Sequence, residues 1–349
     1  MNNPTNLIPS FDNGDCSGNI SSQASTMKAI INNQYGPPSD LQLADIKIPR
    51  IGDHETLIRV HATGLHIGDC FAVRGSPFIM RLHTGLFKPT FGVPGFDVAG
   101  TVEAVGKDVT RFKKGDEVFG ECDGACAEFA RVSETRLSLK PASITFEQAA
   151  AIPTSALAAL HAMRDVAEIK PGDRLLVNGA AGGVGCYAVQ LAKIFGAHVT
   201  AICSSNSRSL MVDLGADQVI DYNQQDFTQP DQKYDVIFDN VENRSLQECR
   251  NALTDKGLLI LNSGTGETGI KMLCRLFKPL LLSPFTRQNL RRYLSVPNHS
   301  DLEYLCELVE TGKIKPVIDR TYPLSKTSEA LEYIEEGHTH GKVIVSLPN

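Results

Sequence analysis

No apolar run in the chain reaches the roughly 18 residues that a membrane-spanning helix requires, so no such helix is expected. An excess of basic charge is lacking too. Forty acidic residues stand against 34 basic ones, a net charge of −6, which argues against a general nucleic-acid binder. The first 26 residues hold no Lys or Arg, contain Asp12 and Asp15, and are rich in Asn and Ser. They match neither a secretory signal, which starts basic and turns apolar, nor an arginine-rich transit peptide, and read as a disordered extension (1–26). What is plentiful is cysteine, nine in 349 residues, yet the nine are scattered and odd in number. A disulfide framework is therefore a poor reading, and a reducing, cytoplasmic setting is expected.

At about 150 residues per domain the length implies two domains. From Met27 to about Leu139 short β-prone runs (MKAII, TLIRVHATGL, VAGTVEAVG, EVFG, AEFARV) are punctuated by Gly and Pro, the pattern of a small antiparallel β domain. Thr145 followed three residues later by Gln148 predicts a capping box opening an Ala-rich helical stretch. Beyond Pro171 strands alternate with helices (RLLVNG, VGCYAVQLAKIFG, HVTAICS, SRSLMVDLG, DQVID, YDVIFDNV, SLQECRNAL, GLLILNS), which predicts βαβ units and a parallel, doubly wound sheet.

Between the first strand and helix of that region lies Ala180-Ala181-Gly182-Gly183-Val184-Gly185, a G-x-G-x-x-G fingerprint with alanine in its first place. Its setting is the one a dinucleotide site needs, because glycines let backbone N–H groups approach a pyrophosphate at a helix N-terminus. Sites for the non-phosphorylated cofactor carry an acid about 20 residues further on. Here Ser204, Ser205, Asn206, Ser207 and Arg208 occupy that stretch, and no carboxylate lies between Thr200 and Leu210. Hydroxyls and a guanidinium suit a 2′-phosphate, so NADPH is the expected cofactor.

With VPGFDVAGTVEAVG, KKGDEVFG, LGADQVIDY and the terminal GKVIV, the chain resembles the medium-chain dehydrogenase/reductase superfamily, and within it the zinc-free quinone oxidoreductases. The resemblance implies a GroES-like β-rich domain (27–150 and 290–349) into which a Rossmann domain (151–289) is inserted, with the active site in the cleft. It assigns Thr154, Ala180, Ala181, Gly182, Gly183, Val184, Gly185, Ser204, Ser205, Arg208, Tyr222, Asn240, Ser263 and Lys342 to the cofactor. His66 and Asp69 become the candidate catalytic residues, and Tyr35 and Arg74 candidate substrate contacts, Arg74 as a partner of Asp69. A homodimer is also what the resemblance suggests.

Zinc-dependent relatives take metal ligands from three segments that here read Gly64-Leu65-His66, Pro94-Gly95-Phe96-Asp97 and Pro153-Thr154-Ser155. One possible ligand in three makes no tetrahedral site, and Cys122 and Cys126 make only half of a four-cysteine one, so no metal is expected. Without a Lewis acid, the chemistry suited to NADPH is hydride delivery to a quinone or to the C=C bond of an α,β-unsaturated carbonyl compound. An enoyl-thioester reductase and a catalytically weak NADPH-binding interaction protein are the alternatives. Residues 268–300 hold no acid and six basic residues among apolar ones, which reads as a pocket wall (271–293) or as weak membrane-surface contact. Cys186 and Cys203 fall close enough to the cofactor segments that alkylation is expected to block binding.

Overall fold

The computed structural model describes residues 26–90, 92–229, 233–262 and 287–348. Ser263 and residues 271–286 of the basic apolar segment lie outside the described residues, as do residues 1–25.

The first domain is antiparallel. Strand β1 (Thr26–Ile31) pairs with β2 (Gln42–Lys47), and β3 (Glu55–Leu65) is the hub of the larger sheet. After β3 come helix α1 (Ile67–Arg74) and the short α2 (Arg81–Thr84), then β4 (Asp97–Val105), β5 (Glu117–Glu121), β6 (Phe129–Ser133) and β7 (Leu137–Leu139). Both β4 and β6 lie antiparallel to β3, and Val60, Val98, Val118 and Leu137 fill the core between them.

The predicted capping box forms. Thr145 accepts the Gln148 N–H at 3.2 Å while the Gln148 side chain accepts the Thr145 N–H at 3.0 Å, which starts α3 (Phe146–Ala150). Pro153, whose missing N–H costs nothing in a first turn, restarts the chain as α4 (Pro153–Leu160). Its alanines are buried, and their small size lets α4 lie close against α5 (Gly183–Ile194) of the second domain.

The second domain runs β8 (Arg174–Asn178), α5, β9 (His198–Cys203), α6 (Arg208–Asp213), β10 (Gln218–Asp221), β11 (Tyr234–Asp239), α7 (Leu246–Asn251), β12 (Leu253–Leu261) and β13 (Asn289–Arg292). These strands form one parallel sheet in the order β10-β9-β8-β11-β12-β13. In sequence terms this is 3-2-1-4-5-6, with the strand order reversing between β8 and β11, where open α/β sheets bind ligands. Helix α8 (His299–Glu310) buries Leu302, Leu305 and Leu308 in the same core.

The chain returns to the first domain as β14 (Ile318–Pro323), α9 (Thr327–Glu335) and β15 (Lys342–Ser346), with β15 parallel to β14 and antiparallel to β3. β13 spans the residue-290 boundary expected above and belongs to the parallel sheet. α8, by contrast, packs on α4 and on β7 of the first domain, where the Cys306 thiol donates to the Leu139 carbonyl at 3.6 Å. Among the described residues no helix is long and apolar enough to cross a membrane.

Candidate active site

The turn after β8 is built on glycines, but not all in the expected places. Gly179, just before the fingerprint, takes the left-handed conformation (φ +72°), and a Cβ there would meet Val241 Cγ2 at 2.7 Å. Ala180 in the next place is buried, with its N–H on the Ile202 carbonyl at 3.0 Å, so its part is to shape the turn. At Gly185 a Cβ would lie 2.2 Å from the Gly179 carbonyl, which is the close helix-to-strand approach that only glycine permits. By contrast, a Cβ on Gly182, the N-cap of α5, would have only the Gly179 carbonyl within 4 Å, at 3.5 Å. The turn is packed tight beneath and open above the N-terminus of a twelve-residue helix, which fits a dinucleotide pyrophosphate.

Ser204 follows directly on β9, and Ser205–Ser207 make a single 3₁₀ turn. Ser205 and Arg208 are exposed, with one Arg208 nitrogen on the Val219 carbonyl at 3.2 Å. The half-exposed Tyr222 has its N–H on the Cys203 carbonyl at 3.2 Å, beside the same strand end. Cys186 and Cys203 are 1% and 3% exposed, and burial pushes their thiols up to about 12 and about 11. Buried and protonated, they are poor targets for alkylation, contrary to the expectation from sequence.

At the switch point the strand ends are laced together. Asn240 places both its N–H and its Nδ2 on the Asn178 carbonyl, at 3.2 and 3.1 Å, and accepts from Asn262 Nδ2 at 2.8 Å. Asp239 Oδ1 accepts from Asn178 Nδ2 and from the N–H groups of Val241 and Glu242. Glu242, in the left-handed region at φ +56°, is buried and takes a two-pronged bond from Arg292 at 2.9 and 2.6 Å. Arg292, one of the six basic residues of the acid-free stretch, is thus tied to a buried carboxylate rather than solvated.

Beneath the glycine turn lies a buried ion pair of the first domain, between the starts of β15 and β4. Lys342 Nζ lies 2.8 Å from Asp97 Oδ2, and the two side chains are 1% and 0% exposed. The other oxygen of Asp97 accepts from the Thr154 N–H at 2.9 Å and from its hydroxyl at 2.6 Å. A Cβ on Gly183 would sit 3.0 Å from the Lys342 stem. Lys342 and Thr154, expected at the cofactor, thus direct their polar groups to Asp97 and hold the turn from below. Beside them Glu121 is pushed up to about 8 by burial and then by the charge of Asp97.

His66 follows β3 in an extended conformation and caps α1. Its Nδ1 accepts the Gly68 N–H at 3.0 Å while Asp69 Oδ2 accepts the His66 N–H at 2.8 Å, a reciprocal capping box. With Nδ1 accepting, the neutral ring carries its proton on Nε2. That nitrogen, 3.6 Å from Asp69 Oδ2, and Asp69 Oδ1 are both buried without a hydrogen-bond partner among the described residues, and the ring stacks on Phe96 at 5.7 Å. Asp69 is fully buried, which raises its carboxyl above the ordinary range, with His66 opposing the shift.

The expected substrate contacts are placed elsewhere. Arg74 forms a two-pronged pair with Glu335 of α9 instead of reaching Asp69, whose carboxylate is taken up in capping. Tyr35 donates to the Gly85 carbonyl at 2.5 Å and lies under the Arg81 guanidinium at 4.5 Å, pinning the segment that follows α1.

A zinc ion does not fit these residues. His66 Nδ1 is occupied in capping, Phe96 has no donor, and the Thr154 hydroxyl is bonded to Asp97. Cys122 and Cys126 are both buried in the core of the first domain and supply only two thiols of a four-cysteine site. Among the described residues no three His, Cys, Asp or Glu side chains are grouped to hold a metal.

Comparison with known proteins places this geometry. Residues 52–157 match the family model of the alcohol dehydrogenase GroES-like domain, and residues 214–345 match that of the zinc-binding dehydrogenases. The chain is 33% identical over 341 residues to a chloroplastic quinone-oxidoreductase homolog of Spinacia oleracea, covering 92% of this chain and 99% of that one. It is 32% identical over 349 residues to the chloroplastic NADPH-dependent alkenal/one oxidoreductase of Arabidopsis thaliana, covering 94% and 82%. Among solved structures, the quinone oxidoreductase of Coxiella burnetii superimposes with a TM-score of 0.82 at 32% identity, over 93% of this chain and 100% of that one.

Proposed function

The chain belongs to the medium-chain dehydrogenase/reductase superfamily, in its zinc-free quinone oxidoreductase branch, and from that premise we propose an NADPH-dependent reductase of quinones and α,β-unsaturated carbonyl compounds. The observation that carries the reading is the His66–Asp69 pair. Two buried polar atoms without partners stand at the end of β3, next to the ion pair that supports the glycine turn.

Bound NADPH supplies the hydride. The N-terminus of α5 holds the pyrophosphate, and Ser204, Ser205 and Arg208 hold the 2′-phosphate, a reading supported by the absence of any acid from Thr200 to Leu210. Asn240 ties together the strand ends that would face the nicotinamide. The Nε2–H of His66 donates to the substrate carbonyl oxygen as negative charge builds there, which a buried donor does more strongly than one in water. Asp69 fixes the position of that donor by capping the same helix. The free thiols among the described residues accord with a reducing compartment. A homodimer is supported by β13, which stands at the edge of the parallel sheet.

The test is NADPH oxidation with a panel of quinones, enones and enoyl-CoA acceptors. Turnover with quinones or enones is expected, and His66→Ala is expected to lower kcat by about 10²-fold while NADPH affinity changes less than about twofold. Unchanged turnover in that variant would reduce His66 to a helix cap.

A further inference from the structure

The peptide leading into β15 is seated on the cofactor turn from the first domain. The Gly341 N–H donates to the Ala181 carbonyl at 2.8 Å, and Gly341 pairs with Gly182 as a parallel bridge. So close a seat requires glycine, since Gly341 has φ +110° and a Cβ there would lie 2.6 Å from the Val317 carbonyl. One residue earlier, the His340 N–H donates to Asp319 at 2.9 Å, and Tyr333 holds the same carboxylate at 2.8 Å. The backbone of His340 is therefore fixed.

Its ring reaches across the domain boundary. His340 Nδ1 lies 2.6 Å from the hydroxyl of the buried Ser207, which is 3.5 Å from that of Ser204. Adjacent residues of the first domain thus touch both loops that would carry the phosphates at the adenosine end, one after β8 and one after β9. When the Ser207 hydroxyl donates to Nδ1, the proton of the neutral ring sits on Nε2. Nε2 has no partner among the described residues and is not among their buried orphaned atoms, and a partly exposed ring nitrogen of this kind is open to a ligand.

We propose that His340 is a further cofactor-specificity residue, donating through Nε2 to the 2′-phosphate from the opposite side to Ser204, Ser205 and Arg208, an inference that rests on the NADPH reading above. The sugar-phosphate end of the cofactor is then clamped between the two domains, and discrimination is shared between a loop and a residue 132 positions after Arg208 in the same chain.

The experiment is titration of the full-length protein with NADPH and NADH, followed by nicotinamide fluorescence, for the wild type, His340→Asn and His340→Gln. Asn retains an acceptor for Ser207 but loses the outward donor, whereas Gln can replace the donor. His340→Asn is expected to weaken NADPH about tenfold and NADH less than twofold, and His340→Gln to recover most of the NADPH affinity. Equal weakening of both cofactors, or of neither, in a protein that prefers NADPH overturns the role of His340 and leaves the cofactor reading standing. A wild type that binds both cofactors alike overturns the NADPH reading, and the role of His340 with it.

Discussion

Replacing Lys342 with Met tests whether the starts of β4 and β15 beneath the glycine turn are held by charge or merely by shape. Methionine fills about the same space but leaves Asp97, 0% exposed, without its cation. Uncompensated buried charges cost about 3–5 kcal/mol when one partner is removed. Asp97 keeps two hydrogen bonds from Thr154, so the lower end, about 3 kcal/mol, is expected. Against a typical total of about 5–15 kcal/mol, that loss is readily measured by equilibrium urea unfolding. Asp97→Asn should cost a similar amount by stranding the ammonium. In the double variant no buried charge remains, and a loss of only about 1–2 kcal/mol is expected, because a buried pair can be replaced by neutral groups at little cost. The coupling energy from the double-mutant cycle is then about 4 kcal/mol, and it should persist in high salt, since a buried pair is poorly screened. If the two single losses simply add in the double variant, the pair does not act as a unit and the reasoning fails.

Two further outcomes follow from the same region. Because burial raises the Glu121 carboxyl from 4.5 to about 8, the folded protein binds a proton that the unfolded chain releases, so this group costs stability as pH rises through that window and adds no change above it. Glu121→Gln should accordingly be more stable relative to wild type at about pH 8.5 than at about pH 5, read by urea unfolding at both; a pH-independent difference would mean that Glu121 is not held protonated. Gly185→Ala would place a methyl 2.2 Å from the Gly179 carbonyl. It should lower stability by about 1–3 kcal/mol and abolish NADPH binding, and a variant with native melting and native affinity would show that helix and strand have room to spare.

Much of the architecture was legible because its signals are local. The capping box at Thr145 and Gln148, the alternation of strands and helices after Pro171, and the missing carboxylate near Ser204 each lie within a few residues. The signal for Gly179 was equally local, an Asn-Gly pair at a strand end, and it was missed because the fingerprint was aligned one residue further on. Asp97 was visible only as the residue beside a non-ligating Phe96, and Arg74 was assigned by nearness in sequence to Asp69 when its partner lies on α9.

The sequence by itself determined the fold class, the glycine turn and the ligand-poor metal positions, because those depend on residue type and short-range spacing. Tertiary structure decided which polar groups are already committed. Lys342 and Asp97 are 245 residues apart, Arg74 and Glu335 are 261 apart, and Ser207 and His340 are 133 apart. A side chain available to a ligand differs from one bonded within the protein only by what the folded chain brings against it. The buried polar groups had to find partners, and the chain path through two interleaved domains set which partners those were.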